Sequence, residues 1–173
     1  MFKTIIRTLS ITALGVTLTA LVPGAASAHS RHAQYHQPKS NIVETAVAIN
    51  QQTGEFSTLI AAVSCTNLVN RLQNEHRQFT VFAPTDAAFA KLGLNAENVC
   101  TSFDRAALAN ILRYHVTKGR LASGDVLSQS ELRMLNHQPA VIGGATIDGQ
   151  NIVKTDVLAS NGVIHVVDGV LLP

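Results

Sequence analysis

The sequence predicts an α+β domain, because its hydrophobic pattern changes from a helical period to a strand period near Tyr114. Before this residue, apolar side chains recur every three to four positions behind polar helix-capping residues. After it, short apolar segments alternate with a period of two and are separated by turn dipeptides. These dipeptides are Gly143-Gly144, Asp148-Gly149, Asn161-Gly162 and Asp168-Gly169. The order predicts short N-terminal helices followed by an antiparallel sheet.

Three short helices are predicted at the start of the domain. In the first, Asn41 and Glu44 have the spacing of a capping box, and Gly54 ends the apolar repeat. Ser57 precedes the second helix and Thr66 precedes the third, each in the position of an N-terminal cap.

A strand and two further helices follow. The segment Phe79–Ala83 is rich in β-forming residues and is closed by Pro84. Thr85 is then placed to cap a short helix, with Asp86 in the first turn, where the positive helix end favours a carboxylate. We interpret this pair as capping residues rather than as a catalytic or binding pair. The next helix is predicted over residues 103–112, with Thr101 and Asp104 at its start.

The segment Val163–Val167 is apolar on both of its alternating faces, which predicts a strand covered on two sides. His165 lies in this strand, and His115 follows Tyr114 at a junction between a helix and a strand. We interpret both histidines as packing residues with hydrogen bonds to the backbone. The side chains expected to be structural are Phe82, Phe89, Tyr114, His115 and Val166.

Residues 1–28 are predicted to form a cleavable secretory signal peptide. Lys3 and Arg7 precede the apolar run Leu9–Val22, and Ala26 and Ala28 occupy the cleavage positions. Polar residues interrupt the run, which falls short of the roughly 20 apolar residues that a membrane span needs. The mature protein is therefore expected to be secreted, extracellular or periplasmic, with no membrane span. Residues 29–39 are expected to be a flexible leader, and 40–173 one folded domain.

The charge balance argues against nucleic acid and anionic membranes as partners. The chain has 13 Lys and Arg residues against 11 Asp and Glu residues, and loss of Lys3 and Arg7 with the signal leaves 11 against 11. A neutral mature chain provides no long-range attraction to a polyanion.

The cysteine count favours a disulfide between Cys65 and Cys100. They are the two cysteines of the chain, and an exported protein enters an oxidising compartment. Free thiols are the alternative, because the sequence does not give the separation of the two residues in space.

No catalytic motif is present, so the chain is predicted to be non-enzymatic and to need no cofactor. The sequence lacks a nucleophile elbow, a zinc-protease motif, a glycine-rich phosphate loop and a C-x-x-C pair. An alternative function is metal handling by the leader, where His29, His32 and His36 provide imidazole donors suited to copper, nickel or zinc. A solvated polar tail is the simpler interpretation of the same residues.

Three motifs in this order resemble a fasciclin domain, and the resemblance covers essentially all of Asn41–Pro173. They are the segment Phe79–Phe89, the Tyr114-His115 pair after a helix, and Asn161–Asp168 with Leu171-Leu172-Pro173 behind it. The resemblance implies a wedge-shaped fold in which short helices pack beside an antiparallel β-sandwich-like pair of sheets.

The same resemblance implies adhesion to a cell-surface or matrix protein, a glycan or another copy of the chain. In animal members, a Tyr-His segment and an Asp followed by an aliphatic residue are proposed as integrin determinants. Tyr114-His115 and Asp156-Val157-Leu158 occupy these places here, whereas the preceding Lys154-Thr155 departs from the animal pattern. From its position before a turn, Asp156 is expected to be a surface contact whose replacement by alanine changes stability by no more than about 1 kcal/mol.

Overall fold

The computed structural model describes residues 38–173. The predicted signal peptide and the three leader histidines His29, His32 and His36 lie outside the described residues. Within residues 38–173 there are seven helices: α1 (Ile42–Thr53), α2 (Ser57–Cys65), α3 (Val69–Leu72), α4 (Asp86–Ala90), α5 (Val99–Ser102), α6 (Arg105–Tyr114) and α7 (Ser123–Leu127). The same residues form seven strands: β1 (Phe79–Pro84), β2 (Val116–Lys118), β3 (Glu131–Arg133), β4 (Pro139–Val141), β5 (Thr146–Ile147), β6 (Gln150–Ala159) and β7 (Gly162–Val167). The predicted α+β class is confirmed.

The larger sheet has five strands in the order β2-β1-β7-β6-β5, and β3 and β4 form a separate two-stranded sheet. The expectation of purely antiparallel pairing was wrong in one place, because β1 and β7 run parallel, with Phe79 opposite Gly162 and Pro84 opposite Val167. Parallel neighbours need a long crossover, and here the whole chain between the two strands provides it. A period-two pattern identifies strands but does not reveal such a distant pairing.

The sheet separates two hydrophobic clusters. One cluster contains Val81 and Ile164 together with most of the buried apolar side chains of the helices, and the other contains Phe82 and Val167 together with Tyr114 and Val126. Every residue of β1 and of β7 is buried. The predicted strand with two covered faces is therefore confirmed, since successive side chains of a strand point to opposite faces.

The helices begin as predicted where the capping side chain bonds to an amide within three residues of itself. Asn41 Oδ1 accepts the Glu44 amide hydrogen at 3.0 Å, and Glu44 Oε2 accepts that of Asn41 at 3.1 Å. Thr85 Oγ1 accepts the Ala88 amide hydrogen and so caps α4. Thr66, expected before α3, instead donates its hydroxyl to the Ala62 carbonyl oxygen at the end of α2.

The second helix begins differently from the prediction. Ser57 is the first helical residue rather than the cap, and the missing acceptor comes from Asp86, 28 and 29 residues away. The Asp86 carboxylate accepts the amide hydrogens of Ser57 at 3.1 Å and Thr58 at 2.8 Å. Asp86 is thus a capping residue, as interpreted, but it caps α2 and ties that helix to the end of β1.

A disulfide joins Cys65 at the end of α2 to Cys100 in α5, with 6.0 Å between the Cα atoms and a sequence separation of 35. It connects two helices that pack on the same cluster, where Cys65, Cys100 and Phe103 are partly buried.

Replacing both cysteines by serine should lower the free energy of unfolding by roughly 3 to 4 kcal/mol, because the bridge restricts the unfolded chain. Urea unfolding of the oxidised protein and of the variant measures this difference. Reducing agent should bring the wild type down to the level of the variant and leave the variant unchanged. Alkylation of two thiols in the denatured, unreduced protein would contradict the bridge.

Candidate functional site

Two of the residues singled out by the resemblance, Tyr114 and His115, lie in the interior. The Tyr114 hydroxyl donates to the Pro139 carbonyl oxygen at 2.9 Å, which links α6 to the β3–β4 sheet. Burial, followed by the nearby Asp148 carboxylate, raises the pKa of Tyr114 to about 12. Neither side chain is exposed, so neither forms part of the surface.

His115 is a packing residue, in agreement with its interpretation from the sequence. Its Nδ1 donates to the Ile111 carbonyl oxygen and its Nε2 accepts the Leu171 amide hydrogen, both at 2.9 Å. These partners fix the neutral ring, because a carbonyl only accepts and an amide N–H only donates. Burial lowers the pKa of His115 to about 4, against a partly compensating hydrogen bond to the Ile111 carbonyl.

The third residue of interest, Asp156, lies in an irregular part of β6. The pairing of β6 with β7 shifts register between Lys154 and Val157, and Asp156 adopts a left-handed backbone with φ +59°. We call residues 153–158 the β6 bulge. Two large apolar side chains of this segment face solvent, with Val153 57% and Leu158 46% exposed.

Asp156 is exposed, as expected from the sequence, and its carboxylate is also hydrogen-bonded within the domain. It accepts the backbone amide hydrogen of Ser123 at 2.8 Å and the Ser123 hydroxyl hydrogen. These bonds, the hydroxyl first, lower the pKa of Asp156. The carboxylate therefore holds the β6 bulge against the start of α7.

His165, in the neighbouring strand β7, also bonds to Asp156. We call the hydrogen bonds of Asp156 with Ser123 and His165 the clamp. The Nδ1 of His165 accepts the Asp156 amide hydrogen at 3.3 Å, and its Nε2 donates to the Leu121 carbonyl oxygen at 3.1 Å. Burial lowers the pKa of His165, which again favours the neutral ring. The clamp thus joins β6, β7 and the start of α7. Sequence reasoning missed Ser123, because α7 is only five residues long and has Gly124 inside it.

Ser123, Asp156 and His165 are residue types of a hydrolytic triad, but their contacts exclude that chemistry. A triad serine donates its proton to a histidine nitrogen, and the histidine is oriented by the carboxylate. Here the Ser123 hydroxyl donates to Asp156, while both His165 nitrogens are occupied by backbone groups. The serine therefore has no general base.

Within residues 38–173, no group of three or more His, Cys, Asp or Glu side chains could hold a metal ion. The same part of the chain contains no helix with the length and apolar character required to cross a bilayer.

Within residues 38–173, a mixed sheet is flanked by short helices, and the buried histidines His115 and His165 serve packing. The chain belongs to the fasciclin family, since the Fasciclin domain model matches residues 54–173. This confirms the resemblance based on the three motifs. The family consists of non-enzymatic adhesion modules, so the prediction that the chain is not an enzyme is also confirmed.

Curated relatives come from bacteria and animals. The chain is 39% identical over 135 residues to the uncharacterized protein sll1735 of Synechocystis sp., a match that covers 76% of this chain and 97% of that protein. It is 32% identical over 133 residues to transforming growth factor-beta-induced protein ig-h3 of Sus scrofa, covering 75% of this chain and 19% of that protein.

The fold is also found among solved structures. The FAS1 domain pair from the insect cell adhesion molecule fasciclin I matches with a TM-score of 0.61 and 19% identity, over 79% of this chain and 52% of that chain. At this level of identity the likeness establishes the fold.

Acid should destabilise the domain through His115. Its pKa is about 4 in the folded protein and 6.5 for an unperturbed histidine, so the unfolded chain binds more protons below pH 6.5. The stabilisation is complete above pH 6.5 and is lost as the pH falls towards 4. Between pH 7.5 and 5 the free energy of unfolding should drop by about 2 kcal/mol from this residue alone.

Urea unfolding across this pH range measures the effect, with His115→Gln as the comparison. The variant should be less stable at pH 7.5 but should depend less on pH between 7.5 and 5. Equal slopes for the two proteins would show that His115 is not the responsible group.

Asp156→Ala should lower the free energy of unfolding by about 1 to 2 kcal/mol, because it removes the bonds to Ser123 and leaves a Cβ in the left-handed region. Asp156→Gly should lose less, since glycine adopts this backbone without steric cost. Lys154→Ala is the control, with a change within about 0.5 kcal/mol at an exposed position. Thermal or urea unfolding distinguishes the three, and an unaffected Asp156→Ala variant would exclude the clamp.

Proposed function

We propose that this chain is an exported adhesion module that binds a cell-surface or matrix protein or glycan through the β6 bulge. The observation that carries the proposal is the exposure of Val153 and Leu158 on a segment whose conformation is fixed by the hydrogen bonds of Asp156. Exposed apolar side chains in a rigid frame lose little conformational freedom on binding, which favours association.

The open edge of β6 supports the same surface. From Val153 onward, the side of β6 away from β7 pairs with no other strand in residues 38–173. An open edge provides backbone donors and acceptors to a partner, whereas a bulge and a charged residue such as Lys154 oppose uncontrolled pairing between copies. The β6 bulge is thus accessible to a partner, while its irregular backbone opposes pairing with a second copy of the same strand.

Tyr114 and His115, the other residues proposed from the sequence to take part in adhesion, are inferred to support the fold rather than to contact a partner. Tyr114 and His115 are buried and connect α6 to β4 and to the C-terminal segment. We infer that their replacement affects adhesion through the fold. Val157 is partly buried and joins the helix-side cluster, so Leu158 is the exposed member of the pair.

Two further features support export and adhesion. The predicted signal peptide directs the chain out of the cell, and the matched FAS1 domain pair comes from an insect cell adhesion molecule. Metal handling by the leader histidines His29, His32 and His36 remains the alternative function predicted from the sequence. Titration of the mature protein with copper or nickel would test it.

The double variant Val153→Ser/Leu158→Ser should weaken adhesion of protein-coated beads to the source cells or their matrix, while its unfolding midpoint stays within about 4 °C of wild type. Leu92→Ser/Val141→Ser is the matched control, because Leu92 and Val141 are 45% and 60% exposed and lie outside the β6 bulge. Equal adhesion of the two variants would move the contact surface elsewhere. Adhesion absent from the wild type as well would reject the proposed function.

A further inference from the structure

A second surface, at the opposite edge of the large sheet from the β6 bulge, concentrates positive charge. Arg71 and Arg77 line one cleft together with Lys118, and Lys118 also lines a second cleft with Arg133 and His137. Because Lys118 belongs to both clefts, they form one continuous surface. We call Arg71, Arg77, Lys118 and Arg133 the basic surface.

The strand register brings two of these cations together. Thr117 pairs with Met134 in an antiparallel bridge, and the Leu135 amide donates to the Val116 carbonyl oxygen at 2.7 Å. This register places Lys118 opposite Arg133, with both side chains exposed and lining the same cleft. Like charges directly opposite each other destabilise a strand pair. The arrangement therefore has a cost to folding that a bound anion would remove.

The carboxylates found beside this charge lie at its margin rather than inside the two clefts, within residues 38–173. Neither of the two clefts is lined by Asp or Glu from this part of the chain; Glu131 enters only in the adjoining cleft beside Arg133. The side chains of the basic surface form no hydrogen bond or ion pair with the described residues. By contrast, the cleft beside α4 has Asp86 and Glu97 in its lining and no basic residue among the described ones. Basic and acidic side chains thus line different clefts of the described residues.

We propose that the basic surface is a binding site for an acidic polysaccharide, a chain of sugars with carboxylate or sulfate groups. Arginine binds such groups through paired, charge-assisted hydrogen bonds, and a row of cations across two clefts suits a repeating anion better than a single ion. The proposal goes beyond the adhesive contact at the β6 bulge.

Nucleic acid fits the same charge less well. Binding of single strands relies on aromatic side chains that stack on bases. No Phe or Tyr in 38–173 is exposed: five of the six are buried and Phe103 is partly buried. The helices next to the basic surface are also too short to read a groove, since α3 has four residues.

The test measures binding of the mature protein to dextran sulfate and polygalacturonate by calorimetry, with neutral dextran and single-stranded DNA of equal charge for comparison. Lys118→Gln/Arg133→Gln should weaken binding to the acidic polysaccharides by about tenfold or more. Lys91→Gln/Arg105→Gln removes the same two residue types elsewhere and should change binding by no more than about twofold. Raising ionic strength from about 0.01 to about 0.15 M should weaken wild-type binding, because the screening length falls from roughly 30 to 8 Å.

A stability measurement provides an independent readout. At low salt, Lys118→Gln/Arg133→Gln should unfold at the same or a higher temperature than wild type, since it removes the opposed charges. Absence of binding, equal loss in both double variants, or tighter binding to DNA than to either polysaccharide would overturn the proposal. Cell adhesion that persists in Lys118→Gln/Arg133→Gln leaves the function of the β6 bulge standing, so the two proposals fail separately.

Discussion

The parallel pairing of β1 with β7 is the constraint on which the rest of the structure depends. It brings the middle of the chain beside its C-terminal part, and Gly162 makes the contact possible, because a Cβ there would collide with the Phe79 carbonyl oxygen. Next to it, the buried Asn161 accepts the Ile42 amide hydrogen at 2.9 Å and donates to the Leu72 carbonyl oxygen at 2.6 Å. One side chain thus ties the start of α1 and the end of α3 to the sheet.

The same strand pair sets the positions of the two proposed surfaces. Because both strands are covered on both faces, their neighbours on either side are the first elements that can present side chains at an edge. On one side, His165 of β7 holds the β6 bulge through the Asp156 amide. On the other, β1 pairs with β2 and thereby places Lys118 at the edge. Both surfaces are therefore held in position by hydrogen bonds to the central strands β1 and β7.

The comparison of sequence and structure separates local from distant interactions. Asn41, Glu44 and Thr85 were predictable as caps because each finds its partner within three residues. Asp86 was assigned to capping correctly but to the wrong helix, since its partners are 28 and 29 residues away. The short helices α5 and α7 were missed because neither has a capping hydrogen bond from its N-cap side chain that would mark its start.

The candidate site was predictable only in part for the same reason. The resemblance pointed to Tyr114, His115 and Asp156, but a motif does not specify which side chains are buried. Asp156 is exposed as its residue type suggests, but its bonds to Ser123 depend on the packing of α7 against the sheet. The basic surface was hidden by neutral composition, because its four cations are distributed between residues 71 and 133 and meet only in the folded chain.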